Sequence, residues 1–252
     1  MNFNMKRSSA ELKSFARSRL QGHYTIAVEI VLSYFALSFF LSWIGLLFFP
    51  FGLNFGFIDM IGNMVLSILM SMLSIGVSYC FLALNRGWQV RISDLFLAFR
   101  YHSDKALCIS LFYMIASSLI KVPLNIVYSL SLLSGDYFSN HVFFTLIILF
   151  TVIVCFILSI ILWINISMCY YIYMDHPDLR TTQIIKISFQ MMRGNKMRFF
   201  YLNISFLGLI LLSLITCFIG MIWVLPYISS TMAAFYQDLN RELPPKTEDG
   251  TF

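Results

Sequence analysis

Long apolar segments separated by short polar ones make up most of the 252-residue chain. A membrane-spanning helix needs roughly 20 apolar residues, because a helix rises about 1.5 Å per residue across a hydrocarbon core of about 30 Å. Four segments plainly reach this length, and the fifth, Phe199 to Leu239, is about twice as long as one crossing requires. We therefore predict an all-α, polytopic membrane helix bundle of six transmembrane helices, at about residues 24–48, 60–84, 106–133, 142–173, 199–217 and 221–239.

The last apolar segment is divided because of three residues near its middle, Thr216, Gly220 and Pro226. They favour a tight turn near Ile219 and Gly220 and a proline kink in the helix that follows. The segment is thus predicted to form a helical hairpin. The alternative is a single crossing followed by a helix that lies in the membrane interface.

The composition agrees with one membrane domain. Hydrophobic residues make up 59% of the chain and charged residues 12%, whereas soluble domains usually carry about 25% charged residues. No polar block is large enough for a separate soluble domain. Residues 1–240 are therefore predicted to form a single membrane domain, followed by a polar cytoplasmic tail at 241–252.

The positive charges are distributed on one side of the predicted topology. Sixteen of the 17 Lys and Arg residues lie in the N-terminal segment, the second and fourth loops and the tail, and the exception is Lys121. Cytoplasmic loops retain Lys and Arg during insertion, and only an even number of spans puts these four segments together. We predict that both termini are cytoplasmic and that the basic side chains face anionic lipid headgroups. Because these residues form no single basic face, nucleic acid is not expected as a partner.

Each predicted hairpin follows a short amphipathic stretch, at Ser9–Leu20, Ile92–Tyr101 and Thr181–Met192. We interpret this pattern as a threefold repeat of an interfacial helix plus a transmembrane hairpin, with the short helices lying along the cytoplasmic headgroups. The alternative is that the stretches are only basic connectors, since repeats are easily suggested by biased composition.

Polar residues inside the spans are candidate functional residues, because they are costly in a bilayer. Lys121 lies inside the third span, where a central Lys costs about 2.5–3.5 kcal/mol on insertion scales. Ser117, Lys121, Asn125 and Ser129 recur every four residues and so share one side of that helix. The other polar positions belong to the first two spans: Glu29 and Ser33, then Asn63, Ser67, Ser71, Ser74 and Ser78.

Two interpretations of these polar positions stay open. In the first, they form a polar path or ligand-binding site between the first three helices, and Lys121 attracts an anionic substrate or a lipid phosphate. Glu29 lies nearer the cytoplasmic face than Lys121, so the two would mark different levels of the path. In the second, the serines allow close helix packing, while Lys121 snorkels outward toward Asp59 or Asp136.

Motifs for catalysis or cofactor binding are absent from the sequence. The five cysteines form no CxxC pair, and the four histidines have no second ligand at helical spacing. Asp175-His176-Pro177-Asp178 is typical of a helix stop and restart rather than of a catalytic cluster. We therefore predict no catalytic residue, no metal site and no cofactor, and do not expect an enzyme.

Three blocks of residues carry a resemblance to a known family. They are Glu11, Leu12, Lys13, Ala16, Leu20, Gly22 and Tyr24; Ser188, Met191, Met192, Gly194, Lys196, Ser205, Phe206 and Gly208; and Trp223, Val224, Pro226, Tyr227, Thr231, Ala233, Ala234, Phe235, Tyr236, Asp238 and Leu239.

In these blocks the chain resembles the uncharacterised bacterial membrane family called domain of unknown function 975. The resemblance implies a bacterial cytoplasmic membrane and a related helical fold, distantly similar to the membrane domain of some glycerophosphodiester phosphodiesterases. It implies no activity and no catalytic residues.

Two functions are compatible with these observations. The absence of motifs favours a non-enzymatic accessory, scaffold or envelope-homeostasis component that binds a partner membrane protein. The polar positions of spans one to three favour instead a small transporter or lipid-handling protein.

Overall fold

The structure is a computed structural model that describes residues 7–48, 57–101, 103–133, 141–216 and 218–241. Every regular element within these ranges is helical, which confirms the all-α prediction. The polar tail from residue 242 and Cys217 lie outside the described residues. The helices are α1 (Ser9–Leu20), α2 (Tyr24–Phe48), α3 (Phe57–Arg86), a 3-10 helix (Ile92–Phe96) leading into α4 (Leu97–Arg100), α5 (Ser103–Leu133), α6 (His141–Ile166), α7 (Cys169–Asp175), α8 (Thr181–Met192), α9 (Lys196–Ile204), α10 (Leu207–Ile215) and α11 (Met221–Leu239).

Within the described ranges, five helical stretches are long and apolar enough to cross a membrane. The sixth predicted span coincides with α11, which is 19 residues long but buries the polar residues Ser230, Thr231 and Gln237. The chain is thus a multi-pass membrane protein, while the count of six spans stays a prediction. The five stretches are Tyr24–Leu47, Ile61–Arg86, Ser103–Leu130, Thr145–Asp175 and Lys196–Ile215.

Two predicted spans are each divided into two helices. The span predicted at 142–173 breaks between α6 and α7, and the span predicted at 199–217 breaks between α9 and α10. The tripeptide Asn-Ile-Ser precedes both breaks, at residues 165–167 and 203–205. In each, the Asn side chain donates to the carbonyl four residues earlier and the Ser hydroxyl to the carbonyl three residues earlier. At both helix ends an Asn and a Ser two residues later thus bond to the backbone together, and such local bonds offer the backbone an alternative to the helical ladder.

The three predicted amphipathic stretches are all helical, and α1 begins as the sequence suggests. Ser8 caps it: the Glu11 amide donates to the Ser8 hydroxyl at 3.3 Å, and the Ser8 amide donates to the Glu11 carboxylate at 3.0 Å. The apolar side of α1, with Leu12 and Phe15, is buried against α11 and α3. Protein contacts therefore hold this helix in place, while the threefold repeat and the lipid contacts of the basic side chains stay predictions.

The second amphipathic stretch packs closely against α3 at Gly76. A Cβ added to Gly76 would lie 2.0 Å from the carbonyl oxygen of Leu95, whose side chain is fully buried. The missing side chain thus lets the 3-10 helix reach the backbone of α3. Trp88, Phe99 and Tyr101 nearby are exposed, as expected of aromatic residues at a membrane interface.

The long helices form a row, because α2 packs on α3, α3 on α5, and α5 on α6. The packed core lies at the basic end of this row, where all residues from Cys80 to Asn85 of α3 are buried. At that end α11 contacts α2 and α3, and α7 and α8 cover α3, α5 and α6. At the opposite end many large apolar side chains are exposed, including Phe39, Leu119 and Phe150. Among the described residues, the bundle is therefore closed at the basic end and open at the other.

Candidate functional site

A cavity of about 1320 Å³ lies on the concave side of the row formed by α2, α3, α5 and α6. Ligand pockets commonly have volumes of about 300–1,000 Å³, so this space is large enough for a sizeable ligand. The inner end of the cavity, at the basic side of the row, is closed by Met168, Phe199 and Met232. At this end α9 packs on α6, and α11 packs on α2. Within the described ranges, the cavity is therefore closed toward the basic side and open at its other end.

The back wall of the cavity is polar. α3 contributes Asn63 and the serines at positions 67, 71, 74 and 78, and α5 contributes Ser110 and Ser117. The hydroxyls of Ser71 and Ser110 are in direct hydrogen-bond contact, which fixes the relative height of the two helices. From Asn63 to Ser78 the polar strip is fifteen residues long, or about 22 Å, so it crosses much of a bilayer core of about 30 Å.

Lys121 lies at the open end of the cavity. It follows Ser110 by eleven residues, which places it about 16 Å outward from the Ser71–Ser110 contact, near the level of Asn63. Its side chain is exposed and lines the cavity, and no hydrogen bond or ion pair holds it within the described part of the chain. Lys121 is therefore a positive charge that an anionic ligand can reach.

The side walls of the cavity are mostly apolar. α2 contributes Phe39, Trp43 and Leu46, and α6 contributes Leu162 and Trp163. Within the described residues, α2 and α6 share no interface comparable to those inside the row, so the cavity has a lateral gap between them. The gap is thus flanked by apolar and aromatic side chains, whereas the wall opposite it carries hydroxyls and Lys121.

The floor of the cavity is fixed by a charged cluster below it. The rings of Tyr171 and Tyr236 stack with their centroids 5.1 Å apart, and the Tyr236 hydroxyl donates to Asp175 at 2.7 Å. Arg86 donates to both oxygens of the same carboxylate at 2.6 and 2.8 Å. Because Asp175 accepts from two different helices, the cluster ties α3, α7 and α11 together.

A second cluster holds α1 to the other short helices. Arg198 pairs with Asp238 and also donates through Nε to the Arg7 carbonyl at 3.0 Å. Lys13 donates to the carbonyl of Ser205 at 2.9 Å, at the break between α9 and α10, and lies over the Phe206 ring. Burial lowers the pKa of Lys13 below its ordinary value. Part of the positive charge of these basic segments therefore has a structural role.

The structure brings five of the seven predicted site residues into one cavity: Ser117, Lys121, Asn63, Ser67 and Ser71. Asn125 lines instead a smaller neighbouring cavity of about 310 Å³ together with Ser129. Glu29 is exposed on α2 and lies ten residues before the first α2 residue of the cavity, so it is about 15 Å farther toward the basic end. The snorkelling partners considered for Lys121, Asp59 and Asp136, lie outside the described side chains.

The sequence interpretation missed several residues of the cavity, notably Ser110, Ser159, Tyr170 and Tyr171. Ser110 continues the polar series of α5, since it precedes Ser117 by seven residues, two helical turns. That spacing could have revealed it. The tyrosines gave no such signal, because aromatic residues near the end of a span are usually interfacial anchors.

The described residues include no group of three or more His, Cys, Asp or Glu side chains placed to hold a metal ion. The polar groups that the described residues place in the cavity are the Lys121 ammonium group, the Asn63 amide and the serine and tyrosine hydroxyls.

The fold and the cavity define a multi-pass, all-helical membrane protein with a polar pocket between its spans. Residues 1–242 match the family described as protein of unknown function (DUF975), and the chain belongs to this family. Neither a curated protein nor a solved structure matches the chain. The more distant similarity to the membrane domain of glycerophosphodiester phosphodiesterases stays a prediction.

Proposed function

We propose that this protein is a non-enzymatic lipid-handling protein that binds an anionic membrane lipid in the cavity. The lipid headgroup would lie against the polar wall of α3 and α5, and the acyl chains would leave through the gap between α2 and α6. The observation that carries the proposal is the separation of polar and apolar surface inside one cavity, with Lys121 on the polar side. Such a surface is complementary to an amphiphile.

The electrostatics of the cavity support an anionic headgroup. Lys121 is costly inside a bilayer, and a phosphate at the open end of the cavity would offset that cost. The serines nearby satisfy part of the hydrogen-bonding demand of a headgroup, which hydrocarbon alone would leave unmet. The apolar residues Phe39 and Trp43 of α2 suit the acyl chains at the gap.

The charge distribution supports a location for the site in the membrane. We propose that the protein lies in a bacterial cytoplasmic membrane with both termini inside, because the basic residues surround the closed end of the bundle. The cavity would then open toward the outer half of the bilayer. The accessory or scaffold role that the lack of motifs favours stays a prediction, and the cavity supports lipid handling more directly.

The proposal is tested by identifying what the purified protein retains. Wild type, Lys121→Met and Lys121→Arg are purified in a mild detergent, with Lys186→Met as a control that removes an exposed charge from α8. Mass spectrometry then measures copurifying lipids, small anions and proteins. We expect Lys121→Met to retain about tenfold less anionic lipid than wild type, since a hydrogen bond to a charged group contributes about 1.5–3 kcal/mol. Lys121→Arg and Lys186→Met should retain it.

Three results would contradict the proposal. Equal lipid retention by all variants would show that Lys121 does not bind the lipid. Retention of a water-soluble anion in place of a lipid would indicate a solute-binding protein. A stoichiometric partner protein that copurifies equally with wild type and Lys121→Met, without a specific lipid, would favour the scaffold role.

A further inference from the structure

The serine hydroxyls of the cavity share one hydrogen-bonding arrangement. Nine serines line the cavity, and the hydroxyl of each lies within hydrogen-bond distance of a backbone carbonyl three or four residues earlier in the chain. Seven of them donate their proton to that carbonyl, and in the Ser71–Ser110 pair one hydroxyl donates to the other, which donates to its own backbone. Ser67, for example, donates to the Asn63 carbonyl at 2.7 Å, and Ser117 donates to the Met114 carbonyl at 2.9 Å. The hydroxyl protons of these nine serines are therefore already used in hydrogen bonds within the protein.

What the hydroxyls still offer to a ligand is their acceptor capacity. A serine hydroxyl has one donor and two acceptor lone pairs, so a hydroxyl that donates to its own backbone can still accept. The wall is consequently rich in acceptors, and its complement is a group that donates hydrogen bonds. Lys121, with three donors and a positive charge, makes the open end complementary to an anion instead.

Three of these serines lie at a similar depth on three different helices. The Cys155 thiol contacts the Ile120 carbonyl at 3.1 Å, which fixes the height of α6 relative to α5, as the Ser71–Ser110 contact does for α3. Counted from these contacts at 1.5 Å per residue, Ser67, Ser117 and Ser159 lie about 6–10 Å inward from Lys121. A headgroup whose phosphate contacts Lys121 would therefore extend to these three acceptors.

From this arrangement we infer the class of lipid that the cavity selects: an anionic lipid whose headgroup carries hydroxyl donors beyond the phosphate, as a glycerol or sugar headgroup does. The inference rests on the proposed function and adds specificity to the same site. A headgroup with a quaternary ammonium has no donor for the serines and is repelled by Lys121. A bare phosphate ester satisfies Lys121 and leaves the serine acceptors unmatched.

The inference is tested by competition between two lipids with the same charge and the same acyl chains, phosphatidylglycerol and phosphatidylmethanol. Phosphatidylmethanol keeps the phosphodiester and lacks the two hydroxyls. Delipidated full-length protein in detergent is mixed with both lipids, and native mass spectrometry measures the bound ratio. We expect wild type to prefer phosphatidylglycerol about tenfold, because two additional hydrogen bonds of about 0.5–1.5 kcal/mol each are made.

A matched pair of variants connects the preference with the serines. The double variant Ser67→Ala, Ser159→Ala should bind both lipids with a ratio near one. Ser129→Ala, farther outward on α5 and outside this cavity, should keep the wild-type ratio. Alanine is a good helix former, and an unchanged elution volume in size-exclusion chromatography verifies that the variants are folded.

The outcomes separate this inference from the proposed function. Equal binding of the two lipids by wild type would overturn the headgroup specificity and leave lipid binding intact. A preference that survives in the double variant would overturn the role of the serines. If wild type binds neither lipid, the proposed function itself fails.

Discussion

Asp175 connects three helices that are distant in the sequence. Its carboxylate accepts two hydrogen bonds from Arg86 and one from Tyr236, and both members of the ion pair are mostly shielded, with side-chain exposures of 11% and 18%. Removing one charge of such a pair leaves the other charge uncompensated. The carboxylate is therefore important for the stability of the closed end and, through Tyr236 and Tyr171, for the cavity floor.

The substitution Asp175→Asn is expected to lower stability by about 2–4 kcal/mol, because it strands the Arg86 guanidinium in a partly buried position. The measurement is thermal unfolding in detergent, followed by the loss of monomeric protein in size-exclusion chromatography. Asp178→Asn, an exposed carboxylate three residues away, is the control and should unfold like wild type. An unchanged melting temperature for Asp175→Asn would contradict the structural role of the ion pair.

At the residue scale the sequence predicted those positions whose chemistry conflicts with a bilayer. Lys121, Ser117, Asn63, Ser67 and Ser71 could be found because polar side chains stand out inside apolar spans. Arg86 and Asp175 could not be paired in advance, since 89 residues separate them and both lie in polar segments where charges are ordinary. The position of Glu29 also depends on tertiary packing. The helix that carries it was predicted correctly, but only the packing shows that Glu29 lies away from the cavity.

Among the elements, the 3-10 helix and α4 depend on a single glycine for their position. Gly76→Ala would place a methyl group 2.0 Å from the Leu95 carbonyl oxygen, which is backbone and cannot move aside alone. We expect a loss of about 1–3 kcal/mol, as is typical of overpacking, measured as a lower melting temperature in detergent.

Gly208→Ala is the matched control for this prediction. Gly208 lies in α10, and a Cβ there would have nothing within 4 Å, so alanine should be neutral or stabilise by up to about 1 kcal/mol through helix propensity. If the two alanine variants melted at the same temperature, the close approach of the 3-10 helix to α3 would be wrong.

Element boundaries were predictable where capping and hydropathy determine them, and not where side chains interrupt a continuous apolar run. The boundaries of α2 and α11 agree with the predicted spans, and α1 and α8 agree with the predicted amphipathic helices. The breaks after α6 and α9 were missed because hydropathy alone does not register hydrogen bonds from side chains to the backbone. The repeated Asn-Ile-Ser at both breaks is the signal that could have located them.

At the scale of the whole molecule, the described residues are tightly packed at the basic end and leave the other end open. Cys80 to Asn85, Ala233 to Gln237 and most of α7 are buried at the first end, and the cavity begins where this core stops. Composition and charge predicted a helical membrane protein, but the cavity arises because α2 and α6 lie at opposite ends of the row and, among the described residues, share no interface comparable to those inside it. That arrangement depends on tertiary packing, which one sequence does not specify by pattern alone.

The most direct test of the account is the water accessibility of the cavity from outside the cell. Ser67→Cys lies on the polar wall, whereas Val65→Cys lies two residues away on an exposed part of α3 outside the cavity. Both are made in a background with the five native cysteines replaced by alanine and treated, in intact cells, with a membrane-impermeant thiol reagent. We predict labelling of Ser67→Cys and not of Val65→Cys, because only the former faces a hydrated space open to the outer side. Equal labelling of both, or labelling of Ser67→Cys only when the reagent reaches the cytoplasm, would contradict an outward-open polar cavity.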